Sequence, residues 1–359
     1  MSTVKILIVS PDISEYTGGG LVGQTIINSL IEAANSLAFK TITYRIAPYK
    51  DYKSKIVNQL RGYACGLNAH VMKELIEIIS NESIDIVFYN SSRYGVLLEA
   101  IKKIYPRLKH IVLSHNVEVR FFLEAFKEKY NLKCLLPLWS SWVNESKTVK
   151  LADILISLNE RDSLEQERIY HRKADYICPL SLKDRFIKLN GKTPSNLIGG
   201  FIGSNFFANK HGMMWFAENV SPYINVPILL IGKDFEKEKD YFSKFKNIQL
   251  IGTVDNLDEY YNKISFIISP IFYGSGMKTK TAEAMMFAKT IFGTTEAFEG
   301  YEVDYEKIGG LCNSAQDFIS KINQFDLSQY YNDYSRSVYE EKYSDLNNLK
   351  LFKRILTSI

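Results

Sequence analysis

The chain has 359 residues, more than the roughly 250–300 at which a single hydrophobic core stops growing, so two domains are expected. Its 46 % hydrophobic and 23 % charged residues form an ordinary globular balance, which excludes a wholly disordered or fibrous chain, and no apolar run approaches the ~20 residues that a membrane-spanning helix needs. The net charge of +4 is uneven: residues 1–180 hold 23 Lys and Arg against 19 Asp and Glu, and residues 93–150 hold 11 against 5.

From the start, Met1-Ser2-Thr3-Val4-Lys5 runs straight into the strand-like Ile6-Leu7-Ile8-Val9. That stretch is too short for a signal-peptide core and no small-residue cleavage site follows it. Cys65, Cys134, Cys178 and Cys312 lie far apart and form no CxxC pair, so they read as reduced thiols, not as disulfides or zinc ligands. The expected compartment is the cytoplasm.

Short β-branched runs alternate with amphipathic stretches, the pattern of parallel sheets with crossover helices. Strands are expected at Lys5–Ser10, Thr41–Ile46, Asp85–Tyr89, His110–Ser114 and Ile154–Ser157. Val22, Ile26, Ile27, Leu30, Ile31 and Ala34 mark one helical face between the first two. The pattern restarts at Leu197–Gly203, Pro227–Gly232, Ile248–Gly252, Phe266–Pro270 and Thr290–Gly293, and the boundary is expected within Lys183–Ser195, where periodicity breaks. The tail from Tyr330 to Ile359 reads as helix without a further strand.

Gly18-Gly19-Gly20-Leu21-Val22-Gly23 satisfies G-x-G-x-x-G, the dinucleotide fingerprint. Pro11–Thr17 separate it from the first strand, however, and Thr41–Ile46 ends on no acidic residue to hold a ribose. A glycine loop at a helix start that admits a phosphate or sugar fits better; a turn without ligand is the alternative.

His115-Asn116-Val117-Glu118 follows the strand His110–Ser114, and the carboxyl ends of parallel strands are where ligands bind in open α/β sheets. His115 and Glu118 are placed to exchange hydrogen bonds with a substrate hydroxyl, or else to cap the next helix. Phe121, Phe122, Phe126, Tyr130, Trp139 and Trp142 then interleave with Lys127, Lys129 and Lys133. This pattern suits a helix lying on anionic lipid, and equally one packed on its own sheet. The basic excess over residues 93–150 points to an anionic membrane or phosphorylated lipid, the alternative being a solvated face. Nucleic acid is not expected, since no recognised binding motif accompanies the charge.

The most informative segment is Pro270-Ile-Phe-Tyr-Gly-Ser-Gly-Met-Lys-Thr-Lys-Thr-Ala-Glu-Ala284. A strand ends at Pro270 and a helix is expected from near Met277, with Lys278 and Lys280 in its first turn. Lysines are disfavoured at the positive end of a helix, so an anion such as a diphosphate is expected to offset them. Glu283 lies on the same side of the helix as Lys280 and could accept hydrogen bonds from a ribose diol. A second strand–loop–helix entry, Phe201 to Gly212, offers Lys210.

The order of the glycine loop, Ser114-His-Asn-x-Glu118, Ala152-Asp-Ile-Leu-Ile-Ser157, strand–Gly203-Ser-Asn205, Leu250-Ile-Gly-Thr-Val-Asp255 and Tyr273-Gly-Ser-Gly-x-Lys-x-Lys-x-x-Glu-Ala284 resembles the GT-B glycosyltransferases. It is most similar to family 4, whose members retain anomeric configuration. The similarity covers nearly the whole chain, with residues 270–284 its most specific part. It implies an α/β fold of two Rossmann-like domains whose parallel sheets face a central cleft. Residues 1–185 would form the acceptor-binding domain, a C-terminal helix of about 330–359 crossing back to it, and residues 195–329 the nucleotide-sugar-binding domain.

By that resemblance Glu283 holds the ribose, Lys280 and Lys210 the diphosphate, and Val254 the base through its backbone. Gly19 and Gly20 approach the diphosphate-sugar, and His115 faces the transferred sugar. Ser204, Gly274, Ser275, Gly276, Met277 and Lys278 complete the donor set, while Asn116 and Glu118 serve the acceptor. The implied activity moves a sugar from a nucleotide sugar to a saccharide or lipid-linked acceptor in surface polysaccharide biosynthesis, with retention. Neither a metal nor another cofactor is expected, in keeping with the lack of any Asp-x-Asp. Many members carry two glutamates separated by seven residues; here the first position is Ser275, which leaves the sugar open. Alternatives are a nucleotide-sugar epimerase of the same fold and a silent nucleotide-sugar-binding partner. The expected location is the cytoplasm, at the inner face of the membrane.

Overall fold

The computed structural model describes residues 3–12, 18–129, 132–188, 196–274 and 276–359. They fall into two units, Met1–Pro179 with Asn348–Ile359, and Leu180–Asn347.

The first unit is a parallel sheet of β1 (Lys5–Pro11), β2 (Lys40–Ile46), β3 (Ile86–Tyr89), β4 (Lys109–Ser114), β5 (Ile154–Ser157) and β6 (Tyr176–Ile177). Their order is β2-β1-β3-β4-β5-β6. β1 and β3 are covered on both faces, so Ile6 to Val9 and Ile86 to Tyr89 are unbroken apolar runs. β2 is an edge and alternates, Lys-Thr-Ile-Thr-Tyr-Arg-Ile. The chain leaves β1 for β2 on one side and then returns for β3 on the other. The crevice beyond the carboxyl ends of β1 and β3 is therefore this sheet's topological switch point.

The second unit repeats the plan with β7 (Gly199–Ile202), β8 (Ile228–Ile231), β9 (Ile248–Gly252), β10 (Phe266–Ser269), β11 (Thr290–Gly293) and β12 (Gly309–Leu311). The order β12-β11-β10-β7-β8-β9 puts its switch point between β7 and β10. Its core is rich in rings: Phe266 meets Phe292 and Phe325 with centroids 5.3 and 5.1 Å apart, in tilted and edge-on geometries that aromatic pairs favour.

All ten expected strands are present. β6 and β12 were not expected, because edge strands of two and three residues carry no readable period. The tail is helical, at Asp333–Val338 and Asp345–Thr357, with a π-helical turn between them at Tyr339–Tyr343. Only its end joins the first unit: Phe352 packs edge-on against Phe88, and Asn348 donates to the Pro179 carbonyl at 3.0 Å. Residues 330–347, expected with the first domain, belong instead to the second. Arg336 pairs with Asp184 and donates to the Met286 carbonyl, and Tyr339 donates to that of Leu182. The same contacts, with Leu182 bridged to Ser344, draw residues 180–188 into the second unit. Part of the expected boundary, 189–195, lies outside the described residues.

Candidate active site

Each unit presents polar side chains at its switch point. In the first, a cavity of about 190 Å³ opens where β1, β3 and β4 end. Gly20 and Gly23 of the helix Gly18–Ser36 line it, together with His115, Asn116 and Glu118. The glycine loop and the Ser-His-Asn-x-Glu segment, far apart in sequence, are thus one site. Gly19 lies in the first turn of the same helix.

His115 donates from Nε2 to Asn90 Oδ1 at 2.8 Å, since that oxygen can only accept. Asn90 is fixed in turn by donating to Ser10 at 3.0 Å. Burial pushes the His115 imidazole down to about 4, so at neutral pH it is uncharged, with Nδ1 as an acceptor. Glu118 opens the helix Glu118–Lys129, and burial raises its carboxyl against the opposing pull of Arg93.

In the second unit the helix after β10 is Thr279–Met286. It begins two residues later than expected, so Lys278 stands at the N-cap and outside the first turn. Gly274 and Gly276 have φ of +148° and +71°, the left-handed region that favours glycine, and Lys278 is extended; the chain has not yet turned helical at Met277. Lys278 is directed onto Glu296 at 2.6 Å and Glu299 at 3.4 Å.

Lys280 is in the first turn and crosses to β7. Its Nζ donates to Asn209 Oδ1 at 2.5 Å and stands 4.4 Å from the Phe201 ring centroid. A Cβ at Gly203 would lie 3.2 Å from that Nζ, so the glycine leaves the ammonium its space. Burial, helped by Lys278, brings the Lys280 ammonium down to about 7.

Glu283 is buried one turn on, accepting from Arg185 at 3.4 Å and Tyr261 at 3.5 Å. Burial raises its carboxyl, and Arg185 opposes. Lys210 does not join Lys280; it pairs with Glu238 at 2.6 Å. Ser204 is exposed in the loop after β7, and its carbonyl accepts from Asn209 at 2.8 Å. Val254 is half-buried after β9, and Met277 is half-buried beside the helix start. Ser275 lies outside the described residues. Among the described residues no group of three His, Cys, Asp or Glu is placed to hold a metal ion.

Residues 197–325 match the family described as glycosyl transferases group 1. Across the whole chain, solved structures share the fold. Anabaena HepE, crystallised with UDP, has a TM-score of 0.68 at 12 % identity, covering 99 % of this chain and 100 % of its own. A glycosyltransferase from Rickettsia africae has a TM-score of 0.67 at 16 % identity, with 99 % of each chain covered. The lipopolysaccharide outer core galactosyltransferase WaaB has 0.66 at 12 %, again over 99 % of each. No curated protein matches the chain by sequence. The chain has the GT-B fold, and residues 197–325 of its second unit resemble the group 1 glycosyl transferases.

Several residues of the two sites escaped the sequence reading. Asn90, Arg93, Asn209 and Arg185 touch the expected site residues from 25, 25, 71 and 98 positions away. Glu145 is wholly buried and accepts from the backbone N–H groups of Glu118 and Val119, which fixes the start of the helix that carries Glu118. No local period marks such pairs.

Proposed function

We propose that this chain is a glycosyltransferase that takes a nucleoside-diphosphate sugar in its second unit and passes the sugar to a saccharide or lipid-linked acceptor held by the first, in surface glycan biosynthesis. The observation that carries the reading is Lys280 beside Asn209 at the second switch point, with Glu283 one turn along the same helix. The C1–oxygen bond to the diphosphate breaks, and the acceptor oxygen bonds to C1 with retention. The acceptor proton leaves with the diphosphate. Lys280 and the helix N-terminus meet the charge that develops on the leaving group. Glu283 would exchange Arg185 for a ribose, and Val254 would meet the base. That neighbours of this fold are crystallised with UDP and UDP-glucose supports a nucleotide-sugar donor.

A thermal-shift screen against nucleoside diphosphates and their sugars tests the donor, because a bound ligand raises stability by mass action. No shift with any of them would remove the reading. The same assignment makes turnover independent of a divalent cation. Activity is expected to continue in excess EDTA, and a requirement met only by added Mn²⁺ would overturn it.

For the acceptor's setting, Leu135, Trp139 and Trp142 are 44, 43 and 53 % exposed on one face of the helix Leu135–Leu151. Phe121 and Leu132 are exposed nearby, while Phe122 is turned inward beneath Arg93. Among the described residues no helix is long and apolar enough to cross a membrane, and this stripe suits a surface contact with a lipid interface. Each nearby basic residue adds about 1 kcal/mol at an anionic surface. Vesicles containing anionic lipid are expected to sediment the protein at low salt and release it at high salt, with Trp139→Ala and Trp142→Ala weakening the attachment. Binding indifferent to lipid charge would leave the basic excess a solvated face.

A further inference from the structure

The first unit's cavity contains a guanidinium that lies over the Phe122 ring and faces a distant carboxylate but makes no hydrogen bond. Arg93 lies in the turn Ser92–Tyr94 that ends β3 and lines the cavity with His115 and Glu118. Its side chain is 18 % exposed, and its Nε is buried without a partner. Among the described residues the guanidinium donates no hydrogen bond. Its nearest carboxylate, Glu118, stands at 3.9 Å, outside hydrogen-bond reach. Glu145 cannot serve, because its two oxygens already accept from Ser92, Tyr170 and two backbone N–H groups.

The turn is also rigid. Ser91 accepts from the Arg93 N–H at 3.2 Å, and Thr148 donates to the Ser92 carbonyl at 2.8 Å. A fixed, half-dry fork of five donors is costly unless paired oxygens meet it. Arg45 lines the same cavity and adds a second positive charge. His115 is uncharged there, so Glu118 alone among the lining groups opposes an anion.

We infer that the acceptor carries an anionic group, a sugar carboxylate or phosphate, which Arg93 receives through its fork in this cavity with Arg45 assisting. This rests on the first unit being the acceptor side of the glycosyltransferase. Arg93 is then a residue that selects the acceptor, and the transferred sugar is left to His115.

The test is direct binding of four simple probes to the full chain in the presence of UDP: methyl glucuronide against methyl glucoside, and glucose 6-phosphate against glucose. At least one anionic probe is expected to bind about tenfold or more tightly than its neutral counterpart, and which pair responds identifies carboxylate or phosphate. Arg93→Gln should abolish that preference, and Arg93→Lys, which keeps the charge but loses the fork, should retain only part of it. The UDP-induced thermal shift, read on every variant, reports folding and the donor site separately. Equal binding of charged and neutral probes by the unmodified chain, binding of none of them, or a preference that survives Arg93→Gln overturns the assignment. Failure of the unmodified chain to respond to UDP would count against the donor reading instead.

Discussion

Replacing Lys280 with alanine is expected to lower kcat/KM by at least about tenfold, or ~1.4 kcal/mol of transition-state stabilisation. Its ammonium is held at a fixed point by Asn209 and the Phe201 ring, within the first turn of Thr279–Met286, where backbone N–H groups also face outward. Burial, with Lys278 nearby, disfavours the charged amine, and its proton affinity falls from 10.5 to about 7. The unfolded chain therefore binds a proton between those values that the folded chain does not. The associated stability is full above pH 10.5 and is lost as pH falls through about 7. A diphosphate reverses the preference by favouring the charged amine. Donor affinity should then weaken as pH rises through about 7 in the unmodified protein, and Lys280→Ala should remove that dependence along with the activity. Lys278→Ala should do less, because that side chain is already engaged by Glu296 and Glu299. Steady-state kinetics with a donor found by the thermal screen decide the point, and unimpaired turnover in Lys280→Ala would sink it.

The contrast between Lys210 and Lys280 shows how far sequence carries. Both sit at a strand–loop–helix entry, and spacing alone makes them equivalent. Successive residues on a helix point about 100° apart, so in Phe207–Asn219 only one of Asn209 and Lys210 can face Lys280. It is Asn209 that meets Lys280, and Lys210 is turned to Glu238. The central strands were readable because their buried runs, such as Phe266-Ile-Ile268, are apolar, and the edge strand β2 was readable from its alternation. The helix start was displaced because Gly276 takes a positive φ that the sequence permits but does not require. His115 and Glu118 were singled out from their place after a strand. Their partners Asn90, Arg93 and Glu145 come from other elements and leave no periodic trace. Glu145 reads as one more polar position on a helix, although it is fully buried.

That buried carboxyl carries the largest expected loss of stability. Glu145 accepts from Ser92 Oγ at 3.2 Å, Tyr170 Oη at 2.8 Å, and the N–H groups of Glu118 and Val119 at 3.0 and 3.2 Å. Truncation to alanine strands those four donors and opens a void beside them. Each buried donor left unmet costs about 1–3 kcal/mol, so a loss of about 3 kcal/mol or more is expected. For a unit of this size that lowers thermal unfolding by roughly 6–12 °C. Burial, then the nearby Glu118 carboxylate, pushes the Glu145 carboxyl up to about 7 against the pull of its donors. A raised carboxyl means that the fold prefers the protonated form. Its contribution is therefore complete below pH 4.5 and lost as pH rises through about 7. Glu145→Gln resembles the neutral acid, so it should cost less than alanine and flatten the stability profile between those two values. Because Glu145 ties Ser92 and the start of Glu118–Lys129 together, the alanine variant should also loosen the first unit's cavity while the second unit still responds to UDP. Thermal unfolding followed across pH 4–8 provides the measurement, and an alanine variant within about 0.5 kcal/mol of the unmodified protein would show that the four donors find other partners.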